Sequence, residues 1–215
     1  MKNVSTKTTG MVQVALFAAL IIIMSVTPML GYIPLGFTRA TIIHVPVILG
    51  SILLGPKQGA MLGGIFGLTS FINNTINPTV TSFVFTPFYT LGVFKGGIGC
   101  VIICFLPRIL VGVLPYFVYK GLHKLLKSGK VSQMISLGAA GVVGSLTNTI
   151  LVMGLILVFF KDAYAAANDI ASSAVYGFVF FIVGINGVPE AIVAAVIVAF
   201  VGRILISGRF AKRTD

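Results

Sequence analysis

This sequence predicts an all-α membrane protein, a compact bundle of six transmembrane helices with an apolar outer loop between helices 3 and 4. Three observations lead there. Hydrophobic residues fill 57% of the 215 positions and charged residues only 9%, against about a quarter charged in a soluble domain. The apolar residues fall in runs close to the roughly 20 that a helix needs to cross a hydrocarbon layer of about 30 Å. Basic residues gather between the runs. These features fit one domain over residues 1–215, with no room for a soluble catalytic module.

Breakers and hydropathy delimit the spans. Span one covers about Val12 to Leu30, closed by Pro28, Gly31 and Pro34, and span two about Ala40 to Leu54, closed by Gly55-Pro56. Span three, about Gln58 to Ile72, is short and rich in glycine at Gly59, Gly63, Gly64 and Gly67. Spans four to six run from about Gly96 to Tyr119, Met134 to Phe160 and Ser173 to Leu205. The first run has no small-residue cleavage site, so it reads as a retained span and not a signal peptide.

The net charge of +11 invites a nucleic-acid reading, but position argues against it. The termini and even loops hold Lys2, Lys7, Lys57, Lys120, Lys124, Lys127, Lys130, Arg203, Arg209, Lys212 and Arg213, and the odd loops only Arg39, Lys95 and Lys161. Basic loops stay on the cytoplasmic side, so both termini are expected in the cytoplasm and the chain in a bacterial cell membrane. Lys120 to Lys130, with His123, then form a topology anchor.

Residues Asn73 to Tyr89 fall outside. They mix Asn73, Asn74, Asn77, Thr79, Thr81, Ser82 and Thr86 with Val80, Phe83, Val84, Phe85 and Phe88, and carry no charge. A connector lying in water would not need that many large apolar groups, so the segment is expected to pack on the helices as a lid, with a re-entrant structural turn as the alternative.

Ionisable groups inside lipid are costly and each is a functional candidate. Arg108 lies in span four beside Pro107, which frees a backbone carbonyl. Glu190 lies deep in span six, where an ion pair with Arg108 competes with a ligand role. His44 stands near the outer end of span two. Thr147, Asn148, Asn186, Ser70 and Asn73 add neutral polar groups, each of which could alone be an interhelical hydrogen bond. Together with Arg39 and Lys95 they suggest an outward polar cavity for a small solute, biased towards an anion. Cys100 and Cys104 read as small buried hydrophobes.

Catalytic patterns are missing. There is no Ser-His-Asp set, paired carboxylate, HExxH helix or Walker loop, and no Cys/His cluster with metal spacing. The two related halves usual in secondary transporters are not found either. An outward cavity without a motor suggests a binding subunit that borrows energy, although a carrier using Glu190 for proton coupling stays open.

Several stretches resemble one family. Gly31-Tyr32-Ile33-Pro34, His44-Val45-Pro46-Val47-Ile48-Leu49-Gly50, Leu54-Gly55-Pro56-Lys57-Gln58-Gly59-Ala60 and Gly63-Gly64-Ile65-Phe66-Gly67-Leu68-Thr69-Ser70-Phe71 are similar to the substrate-binding S component of energy-coupling factor (ECF) vitamin transporters. The resemblance implies a vitamin held in an outward cavity, gated by the loop between spans three and four. It also implies docking on a membrane T component driven by two ATPases, which use ATP while this chain binds no cofactor. Ala15 and Ala19, with Ala18 beside them, match the family's small-xxx-small docking pattern, where small side chains let helices approach closely.

The stretch from Ile76 to Phe88 looks most like pantothenate-specific members. Riboflavin is the nearest rival, because the block Pro46 to Phe71 is similar in its S component. On that resemblance Arg108 would pair the carboxylate. Asn148, Asn186, Asn73 and Lys95 would meet the remaining polar groups, His44 would stand near them, and Phe83 and Phe85 would close over the ligand.

Overall fold

The computed structural model describes residues 6–27, 30–35, 38–92, 94–126 and 129–208. Of the basic residues used above, Lys2, Lys127, Arg209, Lys212 and Arg213 lie outside these ranges, as do the side chains of Lys7 and Arg39. Six helices dominate the described chain: α1 (Thr6–Val26), α2 (His44–Leu54), α3 (Pro56–Ile76), α4 (Ile98–Leu125), α5 (Lys130–Ala167) and α6 (Val175–Ser207).

By length and apolar character α1, α4, α5 and α6 can cross a membrane. Helix α2 has 11 residues, about 16 Å of rise, roughly half a hydrocarbon core. All of its residues are buried, so it is wrapped by the other helices and presents no flank to lipid. An all-round apolar sequence fits that central position. Helix α3 has 21 residues, enough to span, but Lys57, Gln58, Asn73 and Asn74 together with its glycines make it less apolar.

Two boundaries differ from the sequence expectation for one reason. Span one ends at Val26 and span two begins at His44, because Tyr32–Leu35 (β1) pairs antiparallel with Thr38–Thr41 (β2), Tyr32 opposite Thr41. The Ile42 N–H donates to the Gly31 carbonyl at 2.9 Å and closes this hairpin. A side chain at Gly31 would collide with the Met24 carbonyl and Ile43. Between α2 and α3 the chain reverses at Gly55, whose φ of +97° suits a residue without a Cβ, and Pro56 starts α3.

Packing of α3 on α4 is unusually close. A Cβ on Gly59 would strike the Gly112 carbonyl, one on Gly63 the Arg108 carbonyl, and one on Gly67 the Cys104 carbonyl. These glycines recur every four residues on one face of α3, opposite α4 positions that recede by four. The glycine run read as a feature of a short span is thus a seam between two backbones. In lipid, where burying apolar surface gives little drive for helix association, such contact is a main source of cohesion.

Helix α5 runs past its expected end to Ala167, but its dihedrals leave the helical region at Phe160, where the sequence boundary was placed. Helix α6 widens into a π-turn over Val183–Gly187. Two apolar clusters fill the interior. One joins Phe17 and Ile21 of α1 to α2, Leu62 and Phe66. The other joins Phe83 and Val84 to Ile103, Val152, Ile156, Tyr164 and Val179.

Candidate functional site

Arg108 is 6% exposed and its surroundings follow from its neighbour. Pro107 lacks the N–H that would bond the carbonyl four residues back, so the Ile103 carbonyl is left without its helical donor. The Arg108 Nη1 takes that place, donating to Ile103 O at 2.6 Å. Its guanidinium carbon also lies 5.5 Å from the ring centre of Phe66 on α3 and 5.5 Å from that of Phe85. A desolvated cation on an aromatic face gains about 2 kcal/mol, which offsets part of the cost of its burial. Gly63 against the Arg108 carbonyl fixes the backbone from behind.

Phe85 belongs to the segment between α3 and α4. Here Ser82–Val84 forms a single tight turn, and Ser82, Phe83, Val84 and Thr86 are all buried. Its feet on α3 are polar. The Ser82 hydroxyl donates to Asn74 Oδ1 at 2.9 Å, and the hydroxyls of Thr75 and Thr86 lie 2.8 Å apart. Phe83 inserts between Phe94, 6.3 Å away and nearly parallel, and Phe160, 6.1 Å away and edge-on. It sits in the core at the break in α5, while Phe85 is the ring that faces the cation.

Asn148 on α5 is buried, and its Oδ1 has no hydrogen-bond partner among the described residues. The Ser145 hydroxyl, one turn away, is likewise buried without a partner there. Gly144 meets Ile48 and Pro115, and Gly99 of α4 meets Phe159 and Phe160. That antiparallel register places Asn148 within about one turn of the level of Arg108. Asn186 is buried inside the π-turn of α6, whose Gly187 packs on Thr149, so α4, α5 and α6 each bring a polar residue to one slab. Wide turns of this kind are frequent at functional sites.

Glu190 takes partners other than Arg108. Its carboxylate accepts the Thr41 backbone N–H at 2.5 Å and the Thr149 hydroxyl at 3.2 Å, and so ties the β1–β2 hairpin to α5 and α6. His44, 1% exposed, follows that hairpin directly. Neither ring nitrogen has a hydrogen bond of good geometry among the described residues, the Thr41 backbone being a polar neighbour.

The other expected residues lie further out. Asn73 is half-buried near the end of α3, within the helix, and accepts a hydrogen bond from Asn77 Nδ2 at 3.1 Å. Lys95 is exposed on the short strand Phe94–Lys95 (β4), opposite Thr90 of Thr90–Leu91 (β3). Ala15 and Ala19 are exposed on α1, on the side away from buried Gln13, Phe17 and Ile21.

Phe66 was quoted only within a family-like stretch, and its signal was available. It stands four residues before Ser70 and three after Gly63, on the face the glycines mark. Thr41 carried no such signal, because its contribution is a backbone N–H. Among the described residues no group of three His, Cys, Asp or Glu side chains could hold a metal ion. A buried guanidinium on aromatic faces, with amide groups at its level, suits a small anion that also carries hydrogen-bond donors.

Known proteins resemble this chain over most of its length. A pantothenic acid transporter, PanT, of Lactococcus lactis subsp. cremoris is 39% identical over 160 residues, 74% of each chain. A pantothenate transporter, PanT, of Leuconostoc mesenteroides subsp. mesenteroides is 29% identical over 208 residues, 94% of each. Residues 10–202 match the family described as ECF transporter, substrate-specific component. With four helices able to cross a bilayer and a match across nearly the whole chain, this multi-pass membrane protein belongs to the family of ECF transporter substrate-specific components.

Proposed function

We propose that this chain binds pantothenate at Arg108 and delivers it as the S component of an ECF importer. The observation that carries the reading is the buried guanidinium of Arg108, anchored on the Ile103 carbonyl and covered by Phe66 and Phe85. Its charge is desolvated and its orientation fixed, so a carboxylate arriving there meets a donor fork already in position. The names of the two relatives support the choice of vitamin. Asn148 offers an acceptor to the ligand's amide or hydroxyl groups, with Asn186 and His44 close to the same slab. Asn73 and Lys95 line the route in, and Phe83, buried between Phe94 and Phe160, anchors the loop that carries Phe85.

The proposal extends to the rest of the machine. All six helices traverse or enter the membrane with both termini in the cytoplasm, and the exposed Ala15 and Ala19 on α1 meet a T component coupled to two ATPases that use ATP. Equilibrium titration of the purified chain with pantothenate, with riboflavin as the competing candidate, tests the binding step. Saturable pantothenate binding that Arg108→Ala weakens by about 100-fold is expected, the loss of a charge-assisted pair of about 2–3 kcal/mol. Unchanged affinity in Arg108→Ala would remove the carboxylate assignment. Uptake into liposomes by this chain alone would overturn its role as a dependent subunit.

A further inference from the structure

Cys100 and Cys104 stand one turn apart on α4, both buried, and each is turned to the loop. The Cys100 thiol donates to the Phe83 carbonyl at 3.0 Å, and the Cys104 thiol to the Phe85 carbonyl at 3.1 Å. The i, i+4 spacing sets both sulfurs on one helix face, matching two carbonyls that are two residues apart. Beyond the first turn of α4 the backbone N–H groups are consumed within the helix, and the Cys100 N–H is taken by the Gly97 carbonyl, so a loop lying along this flank finds its donors on side chains. The loop's own amides are spent in its turn, where the N–H groups of Phe85 and Thr86 both bond the Ser82 carbonyl. A Cβ on Gly96 would strike the Thr86 carbonyl and approach the Cys100 sulfur at 2.9 Å, so the chain before α4 is tailored to this contact.

We propose that Cys100 and Cys104 are positioning residues, a two-point clasp that holds the 82–86 turn against α4 and thereby sets Phe85 over Arg108. This rests on the vitamin-binding reading, in which leaving or entering the site displaces Phe85. The turn is hinged on α3 by Asn74 and Thr75 and clasped on α4 by the two thiols. A thiol is a weak donor, so the clasp satisfies two buried carbonyls and still releases them. A hydroxyl at either position keeps a donor and strengthens it. A methyl removes it and leaves the carbonyl bare.

The test compares the purified full chain with Cys100→Ala/Cys104→Ala, Cys100→Ser/Cys104→Ser and the single variant Cys104→Ala. Amide hydrogen exchange over residues 83–88 is read without ligand, and the pantothenate dissociation rate is read with it. In the double alanine variant both should rise about 30-fold, which is about 2 kcal/mol for two hydrogen bonds removed together. Cys104→Ala should give a smaller rise, concentrated near Phe85, with the rest of the fold kept. The serine variant should match or fall below the wild type in both readings. Equal behaviour of alanine and serine variants, or loop exchange that none of them moves, overturns the clasp. Absence of pantothenate binding by the wild type overturns the functional reading instead, while exchange in the unliganded protein still decides the clasp.

Discussion

The carboxylate of Glu190 accepts the backbone N–H of Thr41, a residue 149 positions earlier in the chain, and it also accepts the Thr149 hydroxyl. One buried side chain on α6 therefore anchors the hairpin that joins α1 to α2 and binds α6 to α5. Glu190→Ala leaves the part-buried Thr41 amide without its acceptor, while the Thr149 hydroxyl keeps only the Ser145 carbonyl at 3.3 Å, at a cost of about 1–3 kcal/mol. The variant should unfold at lower temperature in detergent, with faster hydrogen exchange at the Thr41 amide. Glu190→Gln keeps a carbonyl acceptor and should lie between it and the wild type. An alanine variant as stable as the wild type, with Thr41 still protected, would show that the anchor is idle.

Helix α3 tolerates no side chain where it crosses Arg108. Gly63→Ala drives a methyl into the Arg108 carbonyl, whereas Gly64→Ala points into open space. The first should lower stability by about 1–3 kcal/mol and weaken pantothenate binding, because it displaces the backbone carrying the guanidinium. The second should do neither. Thermal unfolding and titration of the two neighbours side by side check the claim.

Asn148 separates function from stability. Its Oδ1 is buried without a partner among the described residues, and removing such a group costs the empty protein little. Asn148→Ala should leave the melting temperature of the unliganded chain equal or slightly higher, while affinity for pantothenate drops by about tenfold or more. A large loss of stability would mark Asn148 as a structural residue.

Pro107 acts on the site through an absent donor. Pro107→Ala restores a backbone N–H aimed at the Ile103 carbonyl, which competes with Arg108 for it. The helix should gain stability while the guanidinium loses its fixed orientation, so affinity should fall about tenfold, the value of one charge-assisted bond of about 1.5 kcal/mol. Calorimetric titration together with thermal unfolding reads the two opposite changes in one variant.

Much of this was legible in the residues because lipid makes exceptions conspicuous. Arg108 and Glu190 stood out as charges in apolar runs, and Pro107 announced a free carbonyl although not the group that would fill it. Phe83 and Phe85 were visible as large apolar groups in an uncharged loop, but which of them faced the cation depended on the turn at Ser82–Val84. The hairpin at Tyr32–Thr41 was missed because Thr38 to Thr41 adjoins an apolar run and hydropathy cannot see backbone pairing. Cys100 and Cys104 were read as inert because their function is to donate to carbonyls 17 and 19 residues away, a relation no local pattern encodes.

Gly59, Gly63 and Gly67 have a mechanical consequence. With α3 and α4 joined backbone to backbone at three successive turns, neither can slide or rotate without carbonyls colliding. The pair behaves as one stiff plank with Arg108 and Phe66 set into it. Any reorientation in the membrane carries these two residues along unchanged. On the proposed function, travel is left to the turn at residues 82–86, held by side-chain hydrogen bonds and not by backbone contact, so capture and release would come down to moving a cover over a fixed seat.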